Sequence, residues 1–244
     1  MMSILQSGWD SALNFLYPPV CQVCEQERAT AREGYVGGKC WSDLRFLTAP
    51  FCERCGLPYE GNITHSFQCE NCAELDFAFR FARSAMVANR TLLHVIGAYK
   101  YSQAIWFEPF LGDLLIRQAV PALAVEKWDM IVPVPLHPLK ERERQFNQAE
   151  RLAFHLARAL RLPVNTRLVQ RCRFTGTQTL LTREQRASNV EDAFAPRAGK
   201  QLDGEKIILV DDVLTTGATT SSCARALRDS GAGDICVWTV ARGT

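Results

Sequence analysis

The chain has 244 residues, 47% of them apolar, and a formal net charge of +2. That length buries at least one full core, and no apolar run approaches the roughly 18 residues that a membrane helix needs. A balance so close to neutral excludes a chain-wide polyanion binder, although a local basic stretch can still meet one.

The start, MMSILQSGWDSALNFL, has no basic n-region and carries Asp10 early, so it does not read as a secretory signal and a cytoplasmic location is expected. Ile4, Leu5, Trp9, Leu13 and Leu16 fall on one face of a short amphipathic helix that packs on the body, with membrane contact as the competing reading. Seven of the ten cysteines lie before residue 73 in paired spacing. In a reducing compartment metal ligation outranks a disulfide framework.

Two CxxC turns, Cys52-Glu-Arg-Cys55 and Cys69-Glu-Asn-Cys72, each aim two thiolates at one point. Four sulfurs in a tetrahedral shell suit zinc, a borderline-soft ion with no further geometric demand. The upstream set is less regular: Cys21-Gln-Val-Cys24, then Cys40-Trp-Ser-Asp43, with Asp43 where a fourth cysteine is expected. Asp43, His65 or a water completes that shell, or the site is empty, and the residues alone also allow ligand pairs to be exchanged between the two sets. Both sites read as structural, since no three-ligand open arrangement occurs. Metal binding would supply folding energy to about 60 residues with few large aliphatics. This gives a first module over residues 1–82, a helix followed by a double zinc-binding segment, and a second over 83–244.

In the second module Met130-Ile-Val-Pro-Val-Pro-Leu136 reads as a strand running into a loop, and Asn147 to Leu160 places apolar residues at helical spacing. Further strands are expected around Arg167 to Gln170 and Ile235 to Val240. From Lys140 to Arg186 there are eleven basic side chains against four acidic ones, a local surplus suited to a polyanion. Ile207-Ile-Leu-Val210 is a strand buried on both faces, with Asp211 and Asp212 at its end. Thr215-Thr216-Gly217-Ala218-Thr219 then turns the chain into a helix from Thr220 to Asp229, ended by Gly231. Such a loop offers backbone N–H groups, hydroxyls and a helix N-terminus to an anion, while the glycine lets the backbone approach closely. Paired aspartates accept hydrogen bonds from two vicinal hydroxyls and help to hold magnesium, which a 5-phosphoribosyl group presents in the right place. Strands alternating with helices imply a parallel sheet with ligands at the strand C-termini.

VDDVLTTGATT resembles the phosphoribosyl-pyrophosphate (PRPP) motif of type I phosphoribosyltransferases. YPPVCQVC, KCW, FCERCGLP, CENC, HPLKERERQFNQAERLA and RCRFTGTQTLLTREQRASNVEDAF, in that order, resemble the landmarks of the ComF/GntX family from about Tyr17 to Arg242. The resemblance implies an α/β fold, a type I phosphoribosyltransferase-like parallel sheet flanked by helices and preceded by a small zinc-ribbon-like module. It also implies a loop at Leu136 and His137 that contacts pyrophosphate, and a mobile arm carrying Lys140, Arg142 and Arg144. His137 as an ordinary histidine, and Lys100 as a plain surface lysine rather than a cleft residue, are equal alternatives. Arg171, Gln178, Arg183, Arg186 and Asn189 stand at landmarks without an assigned role. Asp43 for cysteine and Gln145 for glycine depart from the family pattern; the first weakens one zinc site and the second stiffens a loop.

Three functional readings follow. In one, PRPP is bound with magnesium and the basic face and ribbon handle imported single-stranded DNA in natural competence, with Phe146 and Phe174 available for stacking. In another, the chain is a magnesium-dependent phosphoribosyltransferase in nucleotide salvage, with Asp211 and Asp212 on the ribose and Arg142 or Arg144 on the departing charge. No acceptor pocket is legible for it. An adaptor whose ribbon docks a helicase or another competence protein is a third possibility.

Overall fold

A computed structural model describes residues 19–59, 61, 67–70, 72, 76–173, 193–199 and 201–243. The expected N-terminal amphipathic helix, His65, Phe174, Gln178, Arg183, Arg186 and Asn189 lie outside the described residues. The chain forms two compact units, one taking the described residues of Met1–Leu44 and Asn89–Phe110, the other those of Arg45–Ala88 and Leu111–Thr244.

The first unit contains a short helix, α1 (Gly38–Ser42), and a longer one, α2 (Arg90–Tyr101). Asn89 starts α2 by accepting the Leu92 amide on its side-chain oxygen at 2.8 Å, which satisfies one of the orphan donors of the first turn. Leu92, Val95, Ile96 and Tyr99 recur at helical spacing and are the residues that α2 buries. The Trp41 ring meets Phe110 edge-on with centroids 5.6 Å apart.

In the second unit the chain runs β1 (Arg45–Phe46), β2 (Phe81–Val87), α3 (Glu108–Leu123, from Leu111 onward), β3 (Met130–Pro133), α4 (Pro138–Arg144) and α5 (Gln148–Leu160). It continues with β4 (Val169–Arg171), β5 (Phe194–Pro196), β6 (Ile207–Leu214), α6 (Ala218–Asp229) and β7 (Ile235–Arg242). Five strands form one sheet in the order β1-β2-β7-β6-β3, while β4 and β5 pair separately. β2, β7, β6 and β3 are parallel, and β1 is antiparallel to β2. α5 packs on β6 and β3, and α6 packs on β5, β6 and β4. The mixed α/β sheet expected from the alternation of strands and helices is present.

β6 is longer than its sequence suggests. The apolar run stops at Val210, yet the ladder continues with Asp211 opposite Thr239, Val213 opposite Ala241 and Leu214 opposite Arg242. The partner strand is the cause: β7 is buried along its whole length, and each of its backbone groups needs a partner away from water. The aspartates therefore sit inside the ladder rather than in a loose strand end. Asp212 is buried and Asp211 half-buried.

α4 ends at Gln145 in the left-handed region, with φ 66° and ψ −3°. A side chain there meets its own carbonyl, which is why glycine favours such C-cap positions. Gln145→Gly is expected to raise stability by about 1 kcal/mol in denaturant unfolding, and a destabilised variant would contradict that assignment.

Candidate phosphate site and metal centres

β3 and β6 lie side by side and parallel, with Pro133 opposite Val210, and the Val134 amide donates to the Val210 carbonyl at 2.9 Å. The Leu136-His137 turn therefore leaves the sheet beside the strand that delivers Asp211 and Asp212. The Asp212 amide donates to Asp211 Oδ1 at 2.9 Å, fixing the first carboxylate against the backbone.

Beyond β6, Thr215 to Gly217 turns the chain into α6. Gly217 is its N-cap residue at φ 81°, and a β-carbon there would lie 2.8 Å from the Phe77 ring. Only glycine meets both constraints. Thr216 Oγ1 accepts the Ala218 amide at 3.4 Å, Thr220 Oγ1 donates to the Gly217 carbonyl at 3.0 Å, and the Leu214 and Thr215 carbonyls accept from Arg242 Nη1 at 3.1 and 2.8 Å. The first-turn amides of Ala218 and Thr219 belong to a helix N-terminus, where donors outnumber intrahelical acceptors and the helix dipole favours an anion.

Cations gather on the same side. Arg171, on β4, is pushed down chiefly by burial; the Asp211 carboxylate opposes that shift and the Arg144 charge adds to it. Lys140 is pushed down by burial, and Arg171 and Arg144 press it further. Lys140, Arg144 and Arg171 thus act on one another electrostatically, with the Asp211 carboxylate opposing at Arg171 and Glu143 at Lys140, and a cationic group of this kind suits a multiply charged anion. Arg144 Nη1 also donates to Gln148 Oε1 at 3.0 Å, and Arg142 stands exposed on α4. The motif around them has a plain structural use. Asn147 is buried, donates from Nδ2 to the Val134 carbonyl at 3.1 Å and accepts the Ala149 amide on Oδ1 at 3.0 Å, so it ties the N-terminus of α5 to the end of β3.

His137 is the N-cap of α4, its Nδ1 accepting the Leu139 amide at 3.3 Å. Lys100 stands in the last turn of α2 in the first unit, whereas the candidate phosphate loop belongs to the second. The role of Arg171 carried no sequence signal, because its nearness to Asp211 depends on β4 packing against α6.

Cys52, Cys55, Cys69 and Cys72 bring their sulfurs to one point, with Cys52–Cys72 at 3.6 Å, Cys55–Cys69 at 3.7 Å and Cys69–Cys72 at 3.5 Å. A tetrahedral zinc shell with bonds of about 2.3 Å requires sulfur separations of about 3.8 Å, so this set fits zinc. Electrostatics agree. Burial pushes Cys72 well above the usual thiol range and neighbouring Cys55 pushes it further, as expected of sulfurs packed closely enough to share one dication. Burial also pushes Cys52 up, but the amides of Cys55, Cys69 and Arg54 outweigh it and bring the thiol down to about 7.

The upstream set closes differently from expectation. Cys21, Cys24 and Cys40 converge with Glu27, not with Asp43. Asp43 is the exposed C-cap of α1; its Oδ2 accepts from Thr91 Oγ1 at 3.4 Å and its carbonyl accepts from Asn89 Nδ2 at 2.6 Å. Glu27 takes the fourth place: its carboxylate accepts the Lys39 amide at 3.1 Å and the Cys40 amide at 3.3 Å, and Oε1 lies 3.8 Å from Cys24 Sγ. Burial, with Cys24 and Cys21 beside it, pushes Cys40 up to about 12. A carboxylate oxygen is an accepted fourth zinc donor, so three thiolates and Glu27 fit the ion. The available signal was spacing, because Glu27 follows Cys24 at the same interval that separates Cys21 from Cys24. The two ligand sets are separate, with no exchange of pairs between them.

Metal analysis of the purified chain is expected to give two zinc equivalents, falling to about one in Glu27→Gln and staying at two in Asp43→Asn. Loss of an equivalent with Asp43→Asn instead would contradict the Glu27 assignment.

Residues 12–73 match the family model described as a double zinc ribbon domain. Competence protein F of Haemophilus influenzae is 28% identical over 228 residues, covering 91% of this chain and 96% of that protein. DNA utilization protein YhgH of Escherichia coli is 30% identical over 231 residues, covering 92% of this chain and 97% of that protein. Competence protein ComFC of Bacillus subtilis is 27% identical over 200 residues, covering 79% and 77%. Among solved structures, the glutamine PRPP amidotransferase of B. subtilis, complexed with ADP and GMP, aligns with 53% of this chain and 25% of its own at 19% identity and a TM-score of 0.35. With a double zinc ribbon followed by a parallel α/β unit, and relatives matched along almost their whole length, the chain belongs to the ComF/GntX family of competence and DNA-utilisation proteins.

Proposed function

We propose that the second unit binds PRPP, or a related phosphoribosyl ligand, together with magnesium, and that the chain serves the use of imported single-stranded DNA. The observation that carries the ligand is the juxtaposition of the Asp211-Asp212 pair, the Gly217-capped N-terminus of α6 and the Lys140, Arg144 and Arg171 charges. Each meets a different part of the molecule. First-turn amides and the Thr215, Thr216 and Thr219 hydroxyls suit the 5-phosphate, the aspartates suit the vicinal ribose hydroxyls, and the cations suit pyrophosphate. Asp211 and Asp212 offer the hard carboxylate oxygens that magnesium prefers, and magnesium would supply charge neutralisation on the pyrophosphate.

The cation cluster also supports a second reading, transfer of the phosphoribosyl group. There the bond from ribose C1 to the pyrophosphate oxygen breaks, a bond from C1 to an acceptor nucleophile forms, and pyrophosphate leaves with the electron pair into the field of Arg142, Arg144 and Arg171. The basic stretch around α4 supports the DNA reading because phosphate contacts dominate such binding. The names of the relatives, a competence protein and a DNA utilization protein, support the process in which it acts.

Calorimetric titration of PRPP with magnesium is expected to show saturable binding that Asp211→Asn combined with Asp212→Asn reduces at least about tenfold, a cost of about 1.4 kcal/mol. Undiminished binding would remove the phosphoribosyl assignment. Pyrophosphate release in the presence of a base panel would favour transfer. Binding of a single-stranded oligonucleotide is expected to weaken steeply with salt, and Arg142→Ala with Arg144→Ala to lower the log–log slope by about 1.4. A salt-independent affinity would remove the DNA reading.

A further inference from the structure

The second cysteine set is built into the phosphate site. Arg242 closes β7, is 3% exposed, and is the only arginine among the described residues that is buried to that degree. Its Nε donates to the Cys55 carbonyl at 3.0 Å and its Nη2 to Cys55 Sγ at 3.4 Å. From the other side of the same guanidinium, Nη1 donates to the Leu214 carbonyl at 3.1 Å, the Thr215 carbonyl at 2.8 Å and the Gly243 carbonyl. One planar cation therefore grips a metal-ligating cysteine and the first residues of the phosphate loop together. Arginine's rigid fork makes this possible, since a lysine has no fixed plane with donors on opposed edges.

A second link runs beside it. Arg54, between the paired cysteines, donates to the Phe77 carbonyl at 2.7 Å, and the Phe77 ring occupies the space that a Gly217 side chain would need. Phe77 stacks on Phe79 with centroids 4.7 Å apart, and the next residue's amide donates to Ser221 in the first turn of α6 at 3.1 Å. The Arg54 carbonyl accepts the Ala82 amide at 2.8 Å, tying the same turn to β2. The metal turn thus reaches both ends of the loop: Leu214 and Thr215 through Arg242, and Gly217 through Arg54 and Phe77.

We infer that Arg242 is a positioning residue for the phosphate loop, and that zinc on Cys52, Cys55, Cys69 and Cys72 sets the loop's anion-binding shape through it. This rests on the phosphoribosyl reading of the loop for its consequence but not for its geometry. Zinc draws Cys55 into a fixed tetrahedron, Cys55 orients the Arg242 plane, and that plane holds the Leu214 and Thr215 carbonyls turned inward, so the following amides face the ligand. Without the ion the turn that carries Cys55 loses its fixed tetrahedron, and with it the anchor on the ribbon side of Arg242. Linkage makes the effect reciprocal, so a ligand in the loop strengthens retention of the ion.

The test is amide hydrogen exchange on the full chain without ligand, zinc-loaded and after chelation. Exchange across residues 214–219 is expected to quicken at least about tenfold on zinc removal, with Ile207 to Val210 unchanged. Equal exchange in the two states, or an even rise through β6 and β7, would overturn the coupling. Arg242→Lys is expected to keep two zinc equivalents while its loop exchanges faster and binds magnesium-PRPP about tenfold more weakly. Wild-type exchange and affinity in that variant would overturn the role of Arg242. Should Arg242→Lys fail to fold, the zinc-removal comparison decides alone. Should zinc-loaded wild-type protein not bind PRPP, the ligand assignment falls while the exchange result still decides the coupling.

Discussion

The ladder of β6 between β3 and β7 is the constraint on which the rest of this unit depends. Ile207 to Val210 have no exposed surface, so the strand is fixed by burial on both faces and by pairing on both edges. Because all three strands are parallel, their C-terminal ends emerge together. That one fact brings the Asp211-Asp212 pair, the Leu136-His137 turn and the N-terminus of α6 to one side of the sheet. It also explains why acidic residues tolerate a buried position: β7 keeps the ladder in register past the apolar run, and Asp212 is carried inward with it.

The same packing gives the metal turns a role that a small cysteine-rich module does not usually have. Cys52, Cys55, Cys69 and Cys72 belong to one buried cluster with Phe77, Phe79, Ile207, Leu209 and Val237. A ribbon with few aliphatics of its own borrows the core of the sheet, and zinc holds its turns against that core. The first set lacks a fourth thiolate and draws in Glu27, whose carboxylate is already fixed by the Lys39 and Cys40 amides. A pre-oriented oxygen loses little freedom on ligation, which suits it to replace a missing cysteine.

Much of this was legible in the residues, and the exceptions have physical reasons. The β-branched run at 207–210 and the apolar spacing of 148–160 marked a strand and a helix because burial period is local information. Thr215 to Thr219 marked the turn into a helix, which Gly217 caps. The extension of β6 to Leu214 was not legible, since it depends on the length of a partner strand about 30 residues away in sequence. The paired-cysteine pattern points to position 43 rather than to Glu27, which a local turn brings beside the cysteines, its carbonyl accepting the Cys21 amide at 2.8 Å. Arg242 lies beyond the strand expected around Ile235 to Val240. Only the fold shows that a buried guanidinium must find acceptors, and that it finds them on two functional elements at once.

The electrostatic character of the site follows from the same arrangement. The charged forms of Lys140 and Arg171 are disfavoured chiefly by burial and further by Arg144, while Asp211 favours that of Arg171, so an added anion at this end of the sheet meets a partly buried cationic group. The central claim is that the end of β6 is a phosphoribosyl site, and the most direct measurement is a crystal structure of the chain soaked with PRPP and magnesium. The account predicts the 5-phosphate on the amides of residues 215–219, the ribose hydroxyls on Asp211 and Asp212, and the pyrophosphate toward Lys140, Arg144 and Arg171. Ligand density at any other part of the surface, with this loop empty, would contradict it.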